Sequence, residues 1–490
     1  MSGAVEAGDA VGLPGDRKVS DRPAHFIAGK WLQPAQGQSA TILNPATEER
    51  LATVPVGTTA DASQAIIAAR SALAKWSALP PSDRARYLER LRLALSRRQE
   101  EVAQTIALEV GSPIRIARRI QAALPVTVLA SYVELLRTFE FEEQVGSSRV
   151  FKQPVGVVVA VTPWNYPLHQ AVAKVAPALA AGCTVVLKPS LQAPLSAFLL
   201  ADSALEADLP AGVLNLVSGS GATLGEVLAT HPEVDMVSFT GSSAAGAEVA
   251  QHAARSFKKL TLELGGKSAN LILPDADLQR AVKVGVANAF LNNGQTCNAW
   301  TRMLVQRKQV PDVLEIARAS AESMVVGDPL DEGTRLGPVI SAQQRDRVRG
   351  YIRDGISGGA HLLTGGQEVP DGLDRGFYLR PTIFSEVASN MKIAREEVFG
   401  PVLCILSYED EDEAVEIAND SQYGLGGAVW SSDQEKAIAL ARRLRTGQVD
   451  INGAAFNPEA PFGGFKQSGS GRELGRYGLE EFLQTTSLQL

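Results

Sequence analysis

GVVVAVTPWNYPLHQAVAKVAPALAAGCTVVLKPS, residues 156–190, decides the fold: two short apolar runs flank a helical pattern. GVVVAV and CTVVLK lack the alternation of a half-exposed strand, so each predicts a strand buried on both faces. Strand, helix and strand in that order imply a parallel sheet covered by helices on both sides.

The alternation continues downstream through APLSAFLLADSALEADLP, GVLNLVSG, GATLGEVLATHP, VDMVSFTGS and SAAGAEVAQHAARS. After KKLTLELGGKSANLILP a second series of strand and helix patterns runs to about Gly469. Upstream, between about Ile27 and Leu136, short strands (HFIAGKWL, SATILNPAT) precede long amphipathic helices. These are ADASQAIIAARSALAKW, the single run PSDRARYLERLRLALSRRQEEVAQTIALEVG, and one through Ile120 to Leu136. FEFEEQVGSSRVFKQP, residues 139–154, alternates like a hairpin whose strands would pair with a partner chain. The expected fold class is therefore α/β, with two doubly wound domains plus an extension and no internal repeat.

Bulk properties exclude several function classes. The chain has 490 residues, 45% hydrophobic and 21% charged, with 47 basic and 54 acidic side chains and a net charge of −7. That is an ordinary soluble composition. Without a dense Lys/Arg stripe, nucleic-acid binding is not expected. The apolar runs fall short of the ~20 residues that span a bilayer, so no membrane partner is expected either. Glu6 and Asp9 stand where a signal peptide would be basic and then apolar, so residues 1–24 are expected to form a disordered tail on a cytoplasmic protein. The five histidines are scattered with no HExxH, and no metal is expected.

Of the three cysteines, Cys183 and Cys404 lie in apolar strand patterns and read as inert buried thiols. Cys297 differs: LNNGQTCNAW sets it among small and amide side chains just after a helical run.

Parallel sheets bind ligands beyond the carboxyl ends of their strands. The usual GxGxxG fingerprint is absent; Gly219 to Gly225 has three residues before its last glycine and reads as a strand-to-helix turn. In FTGSSAAG, residues 239–246, a strand ends in Thr-Gly-Ser and enters a helix. Two readings stay open there, a pyrophosphate site at the helix N-terminus and a helix merely capped by serine. Glu263 in LELGGK ends an apolar strand pattern at a Gly-Gly turn, an odd place for a carboxylate unless it faces a cleft. A thiol nucleophile needs activation, an oxyanion site and, where an acyl-enzyme forms, a base for water. Glu263 fits the base, and Asn165 in TPWNYP with the Cys297 N–H fits the oxyanion donors.

Seven stretches in order, TPWNYP, LKPS, FTGS, LELGGK, GQTC, EEVFGPV and PFGGFKQSGSGRELG, resemble the aldehyde dehydrogenase superfamily, and the resemblance runs from about His25 to Leu490. Cys297 lies 34 residues beyond Glu263, which also fits that family. The resemblance implies two Rossmann-like domains with a small β oligomerisation arm. Residues 25–138 and 154–262 would form the cofactor domain, 263–475 the catalytic domain, and 139–153 with 476–490 the arm of a homodimer or homotetramer.

It further implies that Cys297 attacks the aldehyde, that Asn165 and the Cys297 N–H hold the oxyanion, and that Glu263 activates the water that hydrolyses the thioester. Glu473 would join a proton relay. NAD or NADP would be held by Thr162, Pro163, Trp164, Lys188, Ser190, Leu191, Gly221, Gly225, Phe239, Gly241, Ser242, Leu264, Glu397 and Phe399. The substrate tunnel would run past Tyr166, Gln170, Ala173, Leu291, Thr296, Asn298, Phe456 and Phe462.

The sequence departs from the family at Leu191, where many members carry a glutamate that binds the adenosine ribose and repels a 2′-phosphate. Loss of that charge implies dual use of NAD and NADP. The tunnel residues imply a medium-sized, uncharged aromatic or aliphatic aldehyde. The alternative is an amino-aldehyde, to which Glu459 points, or a semialdehyde. A coenzyme-A-acylating enzyme is disfavoured by Glu263, a cysteine-dependent esterase by the lack of a histidine tied to Cys297, and a non-catalytic fold relative by the presence of all three chemical residues.

Overall fold

The computed structural model describes residues 19–490. Its first sheet has the strand Val157–Val161 near its centre. Thr184–Lys188 and Leu214–Leu216 follow on one side, and Met236–Thr240 and Lys259–Glu263 on the other, all parallel. The chain thus reverses its direction of winding between Val157–Val161 and Met236–Thr240, which opens a crevice beyond their carboxyl ends. Val157 to Ala160 are fully buried, as the apolar run implies. The covering helix Pro167–Ala181 starts with proline in its first turn and stops at Gly182, whose φ of 98° ends it in the left-handed region.

Antiparallel strands close both edges. His25–Ile27 and Lys30–Leu32 extend the sheet beyond Leu214–Leu216. At the other edge the two-residue strand Gly469–Ser470 pairs with Leu262 and Glu263, so a segment expected in the second domain completes the first sheet. The second sheet runs His361–Thr364, Thr382–Ser385, Val402–Tyr408, Arg302–Gln306, Ala269–Ile272, Gly427–Trp430 and Asp450–Ile451. Only its first strand is antiparallel. A separate two-stranded sheet joins Ser39–Leu43 to Arg50–Pro55.

The strands Glu142–Val145 and Ser148–Pro154 form the hairpin, and Leu483–Gln489 adds a third antiparallel strand to it. This three-stranded sheet is mostly exposed.

Four expectations need correction. Residues 1–18 of the expected tail lie outside the described residues, but 19–24 are packed: Arg22 bonds Asp202 at 2.8 Å, and Asp21 accepts from Arg50 and from the Thr53 N–H. The single run over 81–111 is two helices, Pro81–Arg97 and Gln99–Val110, because the chain bends at Arg98. Residues 476–482 do not belong to the arm. They lie in the helix Gly475–Glu481 and its cap, and bury Leu479 and Phe482 in the core of the first domain. The helical run Ile114–Thr138 is, by length and composition, apolar enough to cross a membrane, but half of its most apolar window is buried inside the fold.

Candidate active site

The helix Leu278–Ala289 is capped by Asp277 and ends at Phe290. The chain then takes three consecutive left-handed residues, Asn292, Asn293 and Gly294, with φ of 51°, 62° and 72°. Left-handed backbone costs about 1–2 kcal/mol for each residue with a side chain, so two such residues need anchors. Asn293 Nδ2 donates to the Gly111 and Pro338 carbonyls, both at 2.8 Å, and its Oδ1 accepts from the Gly337 N–H at 2.7 Å. Gln295 Oε1 accepts from the Ile340 N–H at 2.9 Å. Gly294 is the residue the turn requires: a Cβ there would lie 2.2 Å from the Gly400 carbonyl. This turn presents Cys297.

Cys297 opens into a cleft of about 180 Å³ at the winding reversal of the first sheet. Pro163, Trp164, Asn165 and Gln170 line it from the segment after Val157–Val161, and Thr240, Gly241 and Ser242 from the end of Met236–Thr240. Leu264, Gly265, Glu397 and Phe399 complete it with Gln344 and Arg347. Phe399, at φ 60°, stands edge-on to Trp164 with centroids 5.3 Å apart. Ser242 Oγ caps the helix Ser243–Ala254 by accepting from the Ala245 N–H at 3.3 Å, so serine capping holds, and the opening N–H groups of that helix stand beside the cleft.

Asn165 is buried, and its Nδ2 donates to the Gln295 carbonyl at 3.0 Å, which ties it to the Cys297 turn. Gly266 lets the Glu263 turn lie against the same loop, since a Cβ there would be 2.5 Å from the Cys297 carbonyl oxygen. Glu263 is buried and its Oε2 has no hydrogen-bond partner. Burial and then the neighbouring Glu473 push its carboxyl well above the ordinary range, against the pull of Lys174 and Arg472. Glu473 is held at this depth by an ion pair with Lys174, both nearly inaccessible. Phe462 and Glu473 exchange backbone hydrogen bonds of 2.8 and 2.7 Å, which fixes Glu473 on its strand-like turn.

The Cys297 thiol is pushed up, chiefly by burial and then by the carboxylates Glu397 and Glu263, with the Asn298 N–H opposing. Glu397 is itself raised to about 7 by burial, although its Oε1 accepts from the Gly266 N–H at 3.1 Å. Burial lowers Lys188 to about 8. A thiol that burial keeps protonated at rest suits a nucleophile activated by proton transfer rather than a standing thiolate.

Not all the expected residues meet at the cleft. Thr162 ends the central strand, where its N–H donates to the Lys188 carbonyl. Gly221 and Gly225 lie on the helix Gly221–Thr230, and Ser190 and Leu191 follow Thr184–Lys188. Phe239 is a buried strand residue whose ring packs where a Gly241 side chain would be. On the substrate side, Tyr166 donates to Thr296 Oγ1 at 2.9 Å, Thr296 donates to the Leu291 carbonyl, and Phe456 and Phe462 stand 6.3 Å apart. Ala173 contributes no wall: it is 1% exposed and packed in the core, because its helix turns that side inward.

Residues missed from sequence include Lys174, Gln344, Arg347 and a buried amide group of Gln121 and Asn292. Lys174 left a signal, as the one lysine or arginine in a mostly apolar helix; the amides left none.

The model of the aldehyde dehydrogenase family matches residues 31–488. The 3-succinoylsemialdehyde-pyridine dehydrogenase of a Pseudomonas species is 49% identical, over 95% of this chain and 98% of that protein. The geranial dehydrogenase of Castellaniella defragrans is 44% identical, over 95% and 98%. The crystal structure of a cysteine-to-alanine mutant of aldehyde dehydrogenase C from Pseudomonas syringae, complexed with NAD+ and octanal, superposes with a TM-score of 0.95 at 49% identity, covering 96% of each chain. The fold, the crevice lined together by Cys297 and Asn165, and these similarities agree, and the chain belongs to the aldehyde dehydrogenase family, enzymes that oxidise aldehydes.

Proposed function

We propose that this chain oxidises a medium-sized, uncharged aldehyde to its carboxylic acid, with Cys297 as nucleophile. The observation that carries this reading is the cleft itself: Cys297 and Asn165 line it together, and the thiol feels the charge of the buried Glu263, whose Oε2 has no partner. Cys297 Sγ attacks the carbonyl carbon, and its proton passes to a neighbouring carboxylate. Asn165 Nδ2 and the Cys297 N–H stabilise the oxyanion that forms. NAD+, when bound, supplies the hydride acceptor by which the thiohemiacetal reaches the oxidation level of a thioester. Glu263 then takes a proton from water as that water attacks the thioester, and the Glu473–Lys174 pair receives the proton at depth.

The crevice fits a dinucleotide. The opening N–H groups of Ser243–Ala254 suit a pyrophosphate, Glu397 with Phe399 suits the nicotinamide end, and Lys188 and Leu191 the adenosine ribose. Leu191 offers no carboxylate against a 2′-phosphate, which supports use of both NAD and NADP. Tyr166, Phe456 and Phe462 favour aromatic or aliphatic substrates. The relatives named for a pyridine semialdehyde and for geranial, and the octanal complex, are compatible with that class. Exposed edges on the three-stranded sheet support a homodimer or homotetramer, and a working free thiol supports a reducing compartment such as the cytoplasm.

Reduced-nicotinamide absorbance with a panel of aldehydes, run with NAD and NADP and repeated with Cys297→Ser, tests the reading. Turnover that is lost in the variant is expected; full activity in it refutes the mechanism. NAD turnover without detectable NADP turnover refutes dual use.

A further inference from the structure

The two anchors of the left-handed turn beneath Cys297 differ in kind. Asn293 is tied to backbone groups of distant segments. Asn292 instead belongs to a closed ring of amides. Its Nδ2 donates to the Asn165 carbonyl at 2.9 Å, and its Oδ1 accepts from Gln121 Nε2 at 3.3 Å. Gln121 Nε2 also donates to the Asn165 carbonyl at 3.0 Å. Asn165 Nδ2 closes the ring on the Gln295 carbonyl, two residues before the nucleophile.

Gln121 has no role in the mechanism above, yet two observations single it out. It is wholly buried, and its Oε1 has no partner. A bare buried carbonyl is unfavourable, and leucine or methionine would fill the same space without it. Packing therefore does not account for the glutamine. Gln121 also lies on a π-helical turn, Ala117–Ala122, inside the long helical run. Such a turn carries one extra residue, re-aims the side chains around it, and recurs at functional sites.

We infer that Gln121 is a positioning residue for aldehyde oxidation. By donating to the Asn165 carbonyl and the Asn292 side chain at once, it joins the Asn165 amide and the turn carrying Cys297 into one body, so that the two oxyanion donors keep their spacing. Asn165 comes from the first sheet and Cys297 from the loop after Leu278–Ala289, and Gln121 bridges them from a third element. The inference rests on the reading of Asn165 as an oxyanion donor.

The test uses the full-length chain with Gln121→Met, and two reactions that share the oxyanion site: NAD-dependent aldehyde oxidation and cofactor-free hydrolysis of 4-nitrophenyl acetate. Both kcat/KM values are expected to fall in parallel by about tenfold, a fraction of the loss seen on deleting an oxyanion donor. NAD affinity, read by protein fluorescence, is expected to stay within about twofold of the parent, because Gln121 itself lines no part of the crevice. In an Asn165→Ala background the same substitution is expected to add less than about twofold, since two residues acting through one donor are not additive. Unchanged rates in both reactions, loss of oxidation alone, loss of NAD affinity in step with activity, or an undiminished tenfold loss on top of Asn165→Ala would each overturn the inference. Gln121→Leu, which also lacks the N–H donors, carries the test with the same expectations where Gln121→Met does not fold. Asn165→Ala alone, with full activity in both reactions, refutes the oxyanion reading and is distinguishable from a failure at Gln121.

Discussion

Gly294→Ala measures how closely the catalytic turn is fitted to its surroundings. A methyl at Gly294 would lie 2.2 Å from the Gly400 carbonyl carbon and oxygen and 2.5 Å from Pro401 N, all of it backbone that cannot rotate away. An ordinary contact begins near 3.4 Å, so the turn has to retreat by about 1 Å, a displacement that near-attack geometry punishes by about 100-fold. The left-handed φ of 72° adds a strain of about 1–2 kcal/mol. Gly359→Ala is the matched control: its φ is 92°, but nothing lies within 4 Å of the added carbon. The control isolates backbone strain, so thermal melts are expected to show about 1 kcal/mol lost with kcat/KM unchanged. Gly294→Ala is expected to lose more stability and about 100-fold in kcat/KM, in aldehyde oxidation and in ester hydrolysis alike. Equal effects of the two substitutions, or activity of Gly294→Ala within threefold of the parent, would refute the claim that this backbone approach sets the position of Cys297.

Three further outcomes follow from the charges. Glu473→Gln removes the negative neighbour that raises the Glu263 carboxyl, so Glu263 ionises at lower pH and the acid limb of kcat should move downward; an unmoved or upward limb in a pH–rate series refutes the coupling. Glu109, buried and accepting from the Leu195 and Ser196 N–H groups, is raised to about 8 by burial. A folded-state value above the unfolded one favours folding below the ordinary carboxylate range and loses that advantage as pH climbs to about 8. Melting temperature should therefore fall more steeply over that window in the parent than in Glu109→Gln. Leu191→Glu should leave NAD turnover within a few-fold and suppress NADP turnover by about tenfold or more, read as the ratio of the two kcat/KM values.

How much of this was legible depended on whether a residue's type already conflicted with its local pattern. Cys297 without an apolar strand around it, and Glu263 at the end of one, stood out because chemistry explained what packing did not. Asn165 was readable only in their company. Gln121 and Asn292 were not readable, because an amide within a helical or loop pattern is ordinary until coordinates reveal its partners. The break at Arg98 has no proline or glycine to announce it, so two helices read as one. The two-residue strand Gly469–Ser470 is too short for any periodicity, and its partner lies some 200 residues away, so only tertiary contact defines it. Ala173 misled for the opposite reason: a small side chain suggests room, but here it marks a tightly packed helix face.

That short strand also governs the order in which the molecule is finished. Strands Val157–Val161 to Lys259–Glu263 leave the ribosome long before residues 469–473 exist, and until then the sheet edge at Leu262 and Glu263 has no neighbour. The carboxyl that activates water and the acid behind it meet only when nearly the whole chain has been synthesised. A nascent chain with Cys297 and Asn165 already made still lacks the walls that shield its base, so hydrolytic competence arrives last, together with the strand that seals the sheet.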